Sequence, residues 1–184
     1  GQAKYKLDDY EGMIADSSEA LRLDPNKAAF YQLRGQAKYK LDDYEGMIAD
    51  STEALCLDPN KTIFYQLRGL GKYMLNNYEG SIADSTEALR LDPNNTKAYF
   101  HRGLAKFQFR DYEGSIANST EALRLDPNEA CSYQLRGEVK FKLRDYEGSI
   151  ADYNESLRHD PNNTTVYCNR GFAKCVLGDN EGSI

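Results

Sequence analysis

Apolar residues recur along this chain at spacings of three and four, in blocks that return every 34 residues. Residues 28–61 show one block, AAFYQLRGQAKYKLDDYEGMIADSTEALCLDPNK. In its first half Tyr31, Lys38 and Leu41 share a helical face with Gly35, while Phe30, Leu33 and Ala37 share another. This predicts a helix from Lys27 to Leu41. In the second half Tyr44, Ile48, Ser51 and Leu55 fall on one face, predicting a helix from Tyr44 to Leu57. Asp42-Asp43 makes the turn between them. Asp58-Pro59-Asn60 ends the second helix, because proline disfavours helical geometry in the residue before it. Asp58 is expected to cap the next helix.

The block repeats without insertion or deletion. The prolines Pro25, Pro59, Pro93, Pro127 and Pro161 keep the spacing of 34. Residues 1–34 and 35–68 differ only at Ser18/Thr52, Arg22/Cys56, Ala28/Thr62 and Ala29/Ile63. The 184 residues divide into a partial unit 1–27, full units 28–61, 62–95, 96–129 and 130–163, and a partial unit 164–184. A helix of about 14 residues is marginal alone, so each hairpin must bury its apolar face against its neighbours. The expected architecture is all-α, a right-handed α-solenoid of antiparallel helix–turn–helix repeats forming one array.

Two glycine rows keep the period. Gly1, Gly35, Gly69, Gly103, Gly137 and Gly171 lie inside the first helix of each unit, where close helix–helix approach explains the helical cost of glycine. Gly12, Gly46, Gly80, Gly114, Gly148 and Gly182 lie near the start of the second helix and are expected to permit close packing too. Arginines 34, 68, 102, 136 and 170 precede the first row, and lysines 4, 38, 72, 106, 140 and 174 follow it by three. The second helices carry Asp16, Asp50, Asp84 and Asp152 and the row Glu19, Glu53, Glu87, Glu121 and Glu155. Partly buried Arg–Asp pairs between the two helices of a unit are therefore predicted.

The chain resembles the tetratricopeptide repeat family. The period and hairpin match, as do the tyrosines 31, 65, 99, 133 and 167, the alanines 20, 54, 88 and 122, and the closing Leu-Asp-Pro-Asn. Three positions depart from the family pattern. Arginine replaces its leucine before the glycine, lysine replaces its tyrosine three residues after it, and Ser17, Ser51, Ser85 and Ser119 replace a large aromatic that only Tyr153 retains. The resemblance implies a concave groove, lined by the first helices, that holds an extended peptide or a helix. On this chain the groove positions become Gln32, Leu33, Gln36 and Tyr39, then Gln66, Leu67, Leu70, Tyr73 and Met74. Phe100, His101, Leu104 and Phe107 follow, then Leu135, Glu138, Phe141 and Lys142. An exposed apolar strip marks an interaction surface; the alternative is that these side chains pack on neighbouring helices. The carboxylate clamp of Lys, Asn and Arg that some members use is not reproduced, since only Lys97 and Asn169 could contribute to it.

Composition narrows the function. With 28% charged and 40% hydrophobic residues and a net charge of -6, the chain suits a folded protein and lacks a basic footprint for nucleic acid. No apolar run approaches the roughly 20 residues of a membrane span, so no membrane insertion is expected. No metal or cofactor is implied: Cys56, Cys131, Cys168 and Cys175 form no ligand pattern and read as small unpaired hydrophobes. His101 and His159 sit in different helices with no triad around them, so no enzyme is expected. Asn60, Asn94, Asn118, Asn154, Asn162 and Asn163 begin Asn-x-Ser/Thr sequons, acceptors for N-glycans if the chain is secreted and ordinary turn chemistry if not. The compartment stays open, cytoplasmic by family precedent and extracellular if the sequons are used. The leading reading is a non-enzymatic scaffold for a protein or peptide partner. The other is a structural building block whose uncapped ends stack on further copies, end to end.

Overall fold

The computed structural model describes residues 9–178 of the chain. Among them are ten α-helices and no strand: α1 (Tyr10–Leu23), α2 (Ala28–Lys40), α3 (Tyr44–Leu57), α4 (Thr62–Met74), α5 (Tyr78–Leu91), α6 (Thr96–Gln108), α7 (Tyr112–Leu125), α8 (Ala130–Lys142), α9 (Tyr146–His159) and α10 (Thr164–Leu177). The fold is all-α, as expected, and α3 has the predicted bounds. In α2 the predicted end residues Lys27 and Leu41 are the caps. Two compact units divide between Asp92 and Pro93. In the first, α1 packs on α2, α2 on α3, α3 on α4 and α4 on α5; in the second, α6 to α10 pack in the same successive manner. Gly1, Lys4 and Gly182 lie outside the described residues.

The turn within each hairpin has one geometry. Asp42, Asn76, Arg110 and Arg144 all adopt left-handed φ between 59° and 64°. After α2, Asp42 N–H donates to the Tyr39 carbonyl and Asp43 N–H to the Lys38 carbonyl, which satisfies the last carbonyls of the helix. The next residue then caps the second helix: Asp43 Oδ1 accepts from Gly46 N–H at 2.9 Å, and Asp9, Asn77, Asp111 and Asp145 do the same in their units. The second glycine row is explained here by the cap, joined at Gly80 and Gly114 by the lysine of the first helix, Lys72 or Lys106, which packs against the same spot. A methyl group at Gly80 would lie 2.8 Å from Asn77 Oδ1, so glycine leaves room for the capping side chain.

The Asp-Pro-Asn segment works differently from the expectation. Asp58 is the C-cap of α3, and its N–H donates to Ala54. It does not cap α4, whose N-cap is Lys61 with no side-chain hydrogen bond. The helix begins three residues beyond the proline, too far for the aspartate to reach. In the equivalent segments, Asp24 and Asp126 instead accept from the N–H two residues on, forming a local turn. Where Asn replaces Lys or Glu at the N-cap, as at Asn95 and Asn163, a side-chain cap forms.

The core between helices is narrow, and small residues make it so. Ala54, Leu55 and Phe64 form one cluster with Tyr31, Ile63 and Tyr65 around it. Tyr153, Leu157, Val166 and Ala173 form another, with Phe141 and Ile150 against it. At Gly137 a methyl group would come within 2.8 Å of the Tyr153 ring, whereas at Gly35, opposite Ser51, the nearest atom would be 3.6 Å away. Glycine is thus required at Gly137, where the family aromatic is kept; among the serine units the space runs from ordinary at Gly35 to tight at Gly69 and Gly103, where a methyl would meet atoms at 3.2 and 3.3 Å. The close approach also lets Ser115 Oγ donate to the Gly103 carbonyl at 2.8 Å.

Charge fills the space that aromatic and leucine positions leave. Arg34 grips Asp50 with both arms of its fork, Nη2–Oδ1 2.6 Å and Nε–Oδ2 3.0 Å. Lys38 Nζ reaches the other oxygen of the same carboxylate at 2.9 Å. The arrangement recurs as Arg68–Asp84–Lys72 and Arg136–Asp152–Lys140. The three aspartate side chains are only 2–5% exposed. Each arginine also stacks on the tyrosine three residues earlier, with the Arg34 guanidinium 5.6 Å from the Tyr31 ring centre. Arg34 Nη1 further donates to Ser18, so one side chain ties α1, α2 and α3. The predicted Arg–Asp pairs are therefore present in three hairpins, with a lysine in each on the same carboxylate, two cations to one anion. The glutamate row does not join them. Glu19, Glu87, Glu121 and Glu155 pair within their own helices with the arginine three residues on, at the exposed surface, where such pairs contribute little.

Candidate functional site

The candidate groove positions lie on the first helices, and the hairpin geometry decides which of them face outward. Gln32, Gln36 and Tyr39 on α2, and Gln66, Leu70 and Tyr73 on α4, are half-buried; Leu33 and Met74 are exposed. Phe100, His101, Leu104 and Phe107 on α6 and Phe141 on α8 are half-buried. Leu67 and Leu135 are buried. Leu135 Cδ2 lies 3.3 Å from where a methyl at Gly103 would be, so it packs between successive first helices and offers no surface.

The aromatic position near the end of each first helix is held by the tyrosine that opens the second. Tyr39 meets Tyr44 at 6.1 Å between ring centres, Tyr73 meets Tyr78 at 5.7 Å, Phe107 meets Tyr112 at 5.9 Å and Phe141 meets Tyr146 at 5.4 Å. These tilted and edge-on pairs fix the rings in place. Tyr44 in turn donates its hydroxyl to Asp42 at 2.5 Å, which pushes its pKa up to about 12.

In the second unit the held rings open onto a cleft of about 500 Å³. Phe107 of α6, Glu138, Phe141 and Lys142 of α8, Tyr153 of α9, and Asn169, Phe172 and Val176 of α10 line it. A polar chain runs along one wall. Glu138 Oε1 accepts from Gln134 at 2.9 Å and from Asn169 at 3.3 Å, and Gln134 Oε1 accepts from Asn163 at 3.3 Å. Asn163 also caps α10, so the wall is anchored to a helix end. Burial pushes the Tyr153 phenol up to about 12. Phe172 and Val176 were not among the sequence candidates, yet they follow from Glu138 and Lys142 by adding one period.

His101 is pushed below its ordinary pKa by burial and by Lys97, and its Nδ1 has no hydrogen-bond partner among the described residues. The four cysteines are free, in keeping with the reading of them as unpaired, and all four are exposed. Among the described residues no group of three or more His, Cys, Asp or Glu could hold a metal ion, and no helix is long and apolar enough to cross a membrane. The sequons separate by burial. Asn60, Asn94, Asn154 and Asn162 are exposed, and Asn163 is partly covered as the α10 cap. Asn118 is only 5% exposed, accepts from Arg102 at 2.7 Å and donates to the Gly114 carbonyl, so the folded chain cannot present it to a glycosyl donor.

Helix–turn–helix units that expose a cleft between successive first helices define a class of interaction scaffold, generally non-enzymatic. The comparisons agree. A TPR repeat profile matches residues 137–175 and a tetratricopeptide repeat profile matches residues 96–129. The chain is a tetratricopeptide repeat protein. PilF of Pseudomonas aeruginosa has a similar structure, with a TM-score of 0.82 at 18% identity, covering 95% of this chain and 79% of that one. MamA of Desulfovibrio magneticus RS-1 gives 0.76 at 20% identity over 84% and 88%. YrrB, described as a TPR protein with an unusual peptide-binding site, gives 0.71 at 15% identity over 91% and 87%. At these identities the likeness is one of fold. No curated protein sequence matches the chain significantly.

Proposed function

We propose that this protein is a scaffold that holds an extended or helical peptide of a partner protein against its first helices. The observation that carries the reading is the cleft of the second unit, where Phe107, Phe141 and Phe172 surround a wall carrying Glu138 and Asn169. The rings supply apolar area at little entropic cost, because Tyr112 and Tyr146 already hold two of them. Glu138 and Asn169 supply the few oriented polar groups that fix a ligand's register. A peptide with an aromatic or aliphatic anchor and a basic or amide neighbour fits this lining. In the first unit Gln36, Tyr39, Leu70, Tyr73 and Met74 offer a similar mixture on α2 and α4.

A random 12-residue peptide library displayed on phage tests the reading. Selected peptides should bind the wild-type chain and lose at least about tenfold in affinity with Phe141→Ala, as expected for an anchor-pocket residue. Arg124→Ala, on the exposed face of α7, should leave them unaffected. Failure to select any peptide, or equal binding by both variants, would sink the groove reading.

A further inference from the structure

In three hairpins an aromatic ring and a carboxylate hold an arginine between them. Arg34, Arg68 and Arg136 each lie over a tyrosine, 5.6 Å from the ring centres of Tyr31, Tyr65 and Tyr133. Each guanidinium also closes on the carboxylate of Asp50, Asp84 or Asp152, at 2.6 to 2.7 Å. A planar, weakly hydrated guanidinium suits both partners at once, stacking on the ring and donating to the oxygens from its edge.

The cleft of the second unit brings together the same two partners without the cation. Phe107 of α6 and Glu138 and Phe141 of α8 line it. Glu138 and Phe141 are three residues apart on one helix, so they share a face. Glu138 is half-buried, and its carboxylate is held through one oxygen. Oε1 accepts from Gln134 at 2.9 Å and from Asn169 at 3.3 Å. Oε2 has no hydrogen bond among the described residues, and no lysine or arginine there pairs with either oxygen. Lys142, one turn further along α8, lines the same cleft but is exposed and does not close on Glu138. The two amide donors are themselves fixed. Asn163 caps α10 and donates to Gln134 Oε1 at 3.3 Å, which turns the Gln134 amide nitrogen toward Glu138. Asn169 reaches the same oxygen from the α8-facing side of α10. A half-buried carboxylate oxygen is thus held in place with no cation to offset its desolvation.

We infer that this cleft takes an arginine side chain of the partner peptide, with the guanidinium against the Phe107 and Phe141 rings and its N–H groups donating to Glu138 Oε2. The inference rests on the groove reading and names the side chain that the groove selects. Charge complementarity identifies the occupant. The unpaired oxygen asks for a cation, and like charge turns away an acidic peptide. The rings favour arginine over lysine, because an ammonium stays strongly hydrated and has no flat face to stack. The cleft volume of about 500 Å³ leaves room for an apolar neighbour beside the guanidinium.

Sequencing the peptides selected from the 12-residue library, followed by titration calorimetry on the full chain, tests the assignment. Arginine should be enriched at one position of the selected peptides over the unselected library. Replacing that arginine by citrulline in a synthetic peptide keeps its shape and removes its charge. The replacement should weaken binding to the wild-type chain by at least about tenfold. It should cost clearly less against Glu138→Gln, whose side chain keeps an oxygen for Gln134 and Asn169 and loses the charge. The enrichment and the citrulline effect are read on the wild-type chain and do not depend on how the variant folds. Peptides that bind and depend on Phe141 but carry no enriched arginine overturn the assignment and leave the groove reading standing. So does lysine selected as often as arginine, or a citrulline replacement that costs as much with Glu138→Gln as with the wild type. Failure to select any peptide sinks both.

Discussion

Hairpins 62–95 and 96–129 share a period and a turn, and a difference in the middle separates their electrostatics. In the first, Arg68 and Lys72 converge on Asp84 at 2.7 and 2.8 Å. In the second, the carboxylate is replaced by the amide of Asn118. Arg102 keeps a bond to it through Nε at 2.7 Å, but Lys106 turns away to Asp111 at 2.8 Å. The electrostatics reverse accordingly. Hydrogen bonding to Asp84 raises the Arg68 guanidinium above its ordinary pKa, while burial pushes that of Arg102 below it. The backbone tolerates either chemistry. What the carboxylate changes is whether two buried cations are held at the core or one is released to the helix cap.

The largest effect should come from removing the carboxylate where two cations depend on it. Asp84→Ala leaves Arg68 and Lys72 without their shared partner and is expected to cost about 3 kcal/mol, read by urea unfolding. Asp84→Asn imitates the neighbouring hairpin and should cost clearly less. Equal losses would mean that the amide is no substitute and that the comparison fails. A smaller contrast should appear on the arginine side. Arg68→Leu restores the residue usual in the family but strips a buried carboxylate of its forked partner, for a loss of about 2 kcal/mol. Arg102→Leu strips only an amide and should lose about 1 kcal/mol or less. No loss of thermal stability with Arg68→Leu would leave the pair without a stabilising role.

The smallest and most diagnostic change is Asn118→Asp, which should draw Lys106 back and gain about 1 kcal/mol. Its signature is the titration of Asp111. In the wild type, Lys106 foremost, with the Gly114 N–H, holds the Asp111 carboxyl below the ordinary carboxylate range. A depressed folded pKa means that the contribution is complete above the ordinary value of about 4 and disappears as pH falls through the lower folded value. Asp111 is largely open to solvent, so the stability involved is well under about 1 kcal/mol. In Asn118→Asp the Asp111 resonance should titrate nearer the ordinary value. An unmoved Asp111 pKa would show that Lys106 has not returned.

Much of this was legible in the chain. Tyr44–Leu57 could be bounded by its caps because turn chemistry is local: Asp43 and Pro59 act within a few residues of themselves. The Arg–Asp pairs were legible because opposite rows on two helices of one hairpin have few other partners. The lysine's part was not, since nothing in spacing alone says that residues four apart on one helix will meet the same carboxylate oxygens. The second glycine row was read only in part for a similar reason, because a small residue in a helix suggests packing until the capping side chain is seen beside it. In the groove, the period named Phe107 and Phe141 and would have named Phe172. It could not separate Leu135, which is 2% exposed, from its neighbours. Residues one position apart on a helix diverge by about 100°, and only the placement of the next helix decides which side is covered.

The sequence by itself determined the repeat and the hairpin, because each depends on contacts within about 34 residues that recur without interruption. The tertiary structure decided which repeated positions are buried. It also decided that Asn118 lies inside a hydrogen-bonded cluster while four other sequon asparagines face solvent. Residues in equivalent positions acquire different environments from the side chains packed opposite them, as Gly35 and Gly137 do, which a period cannot express.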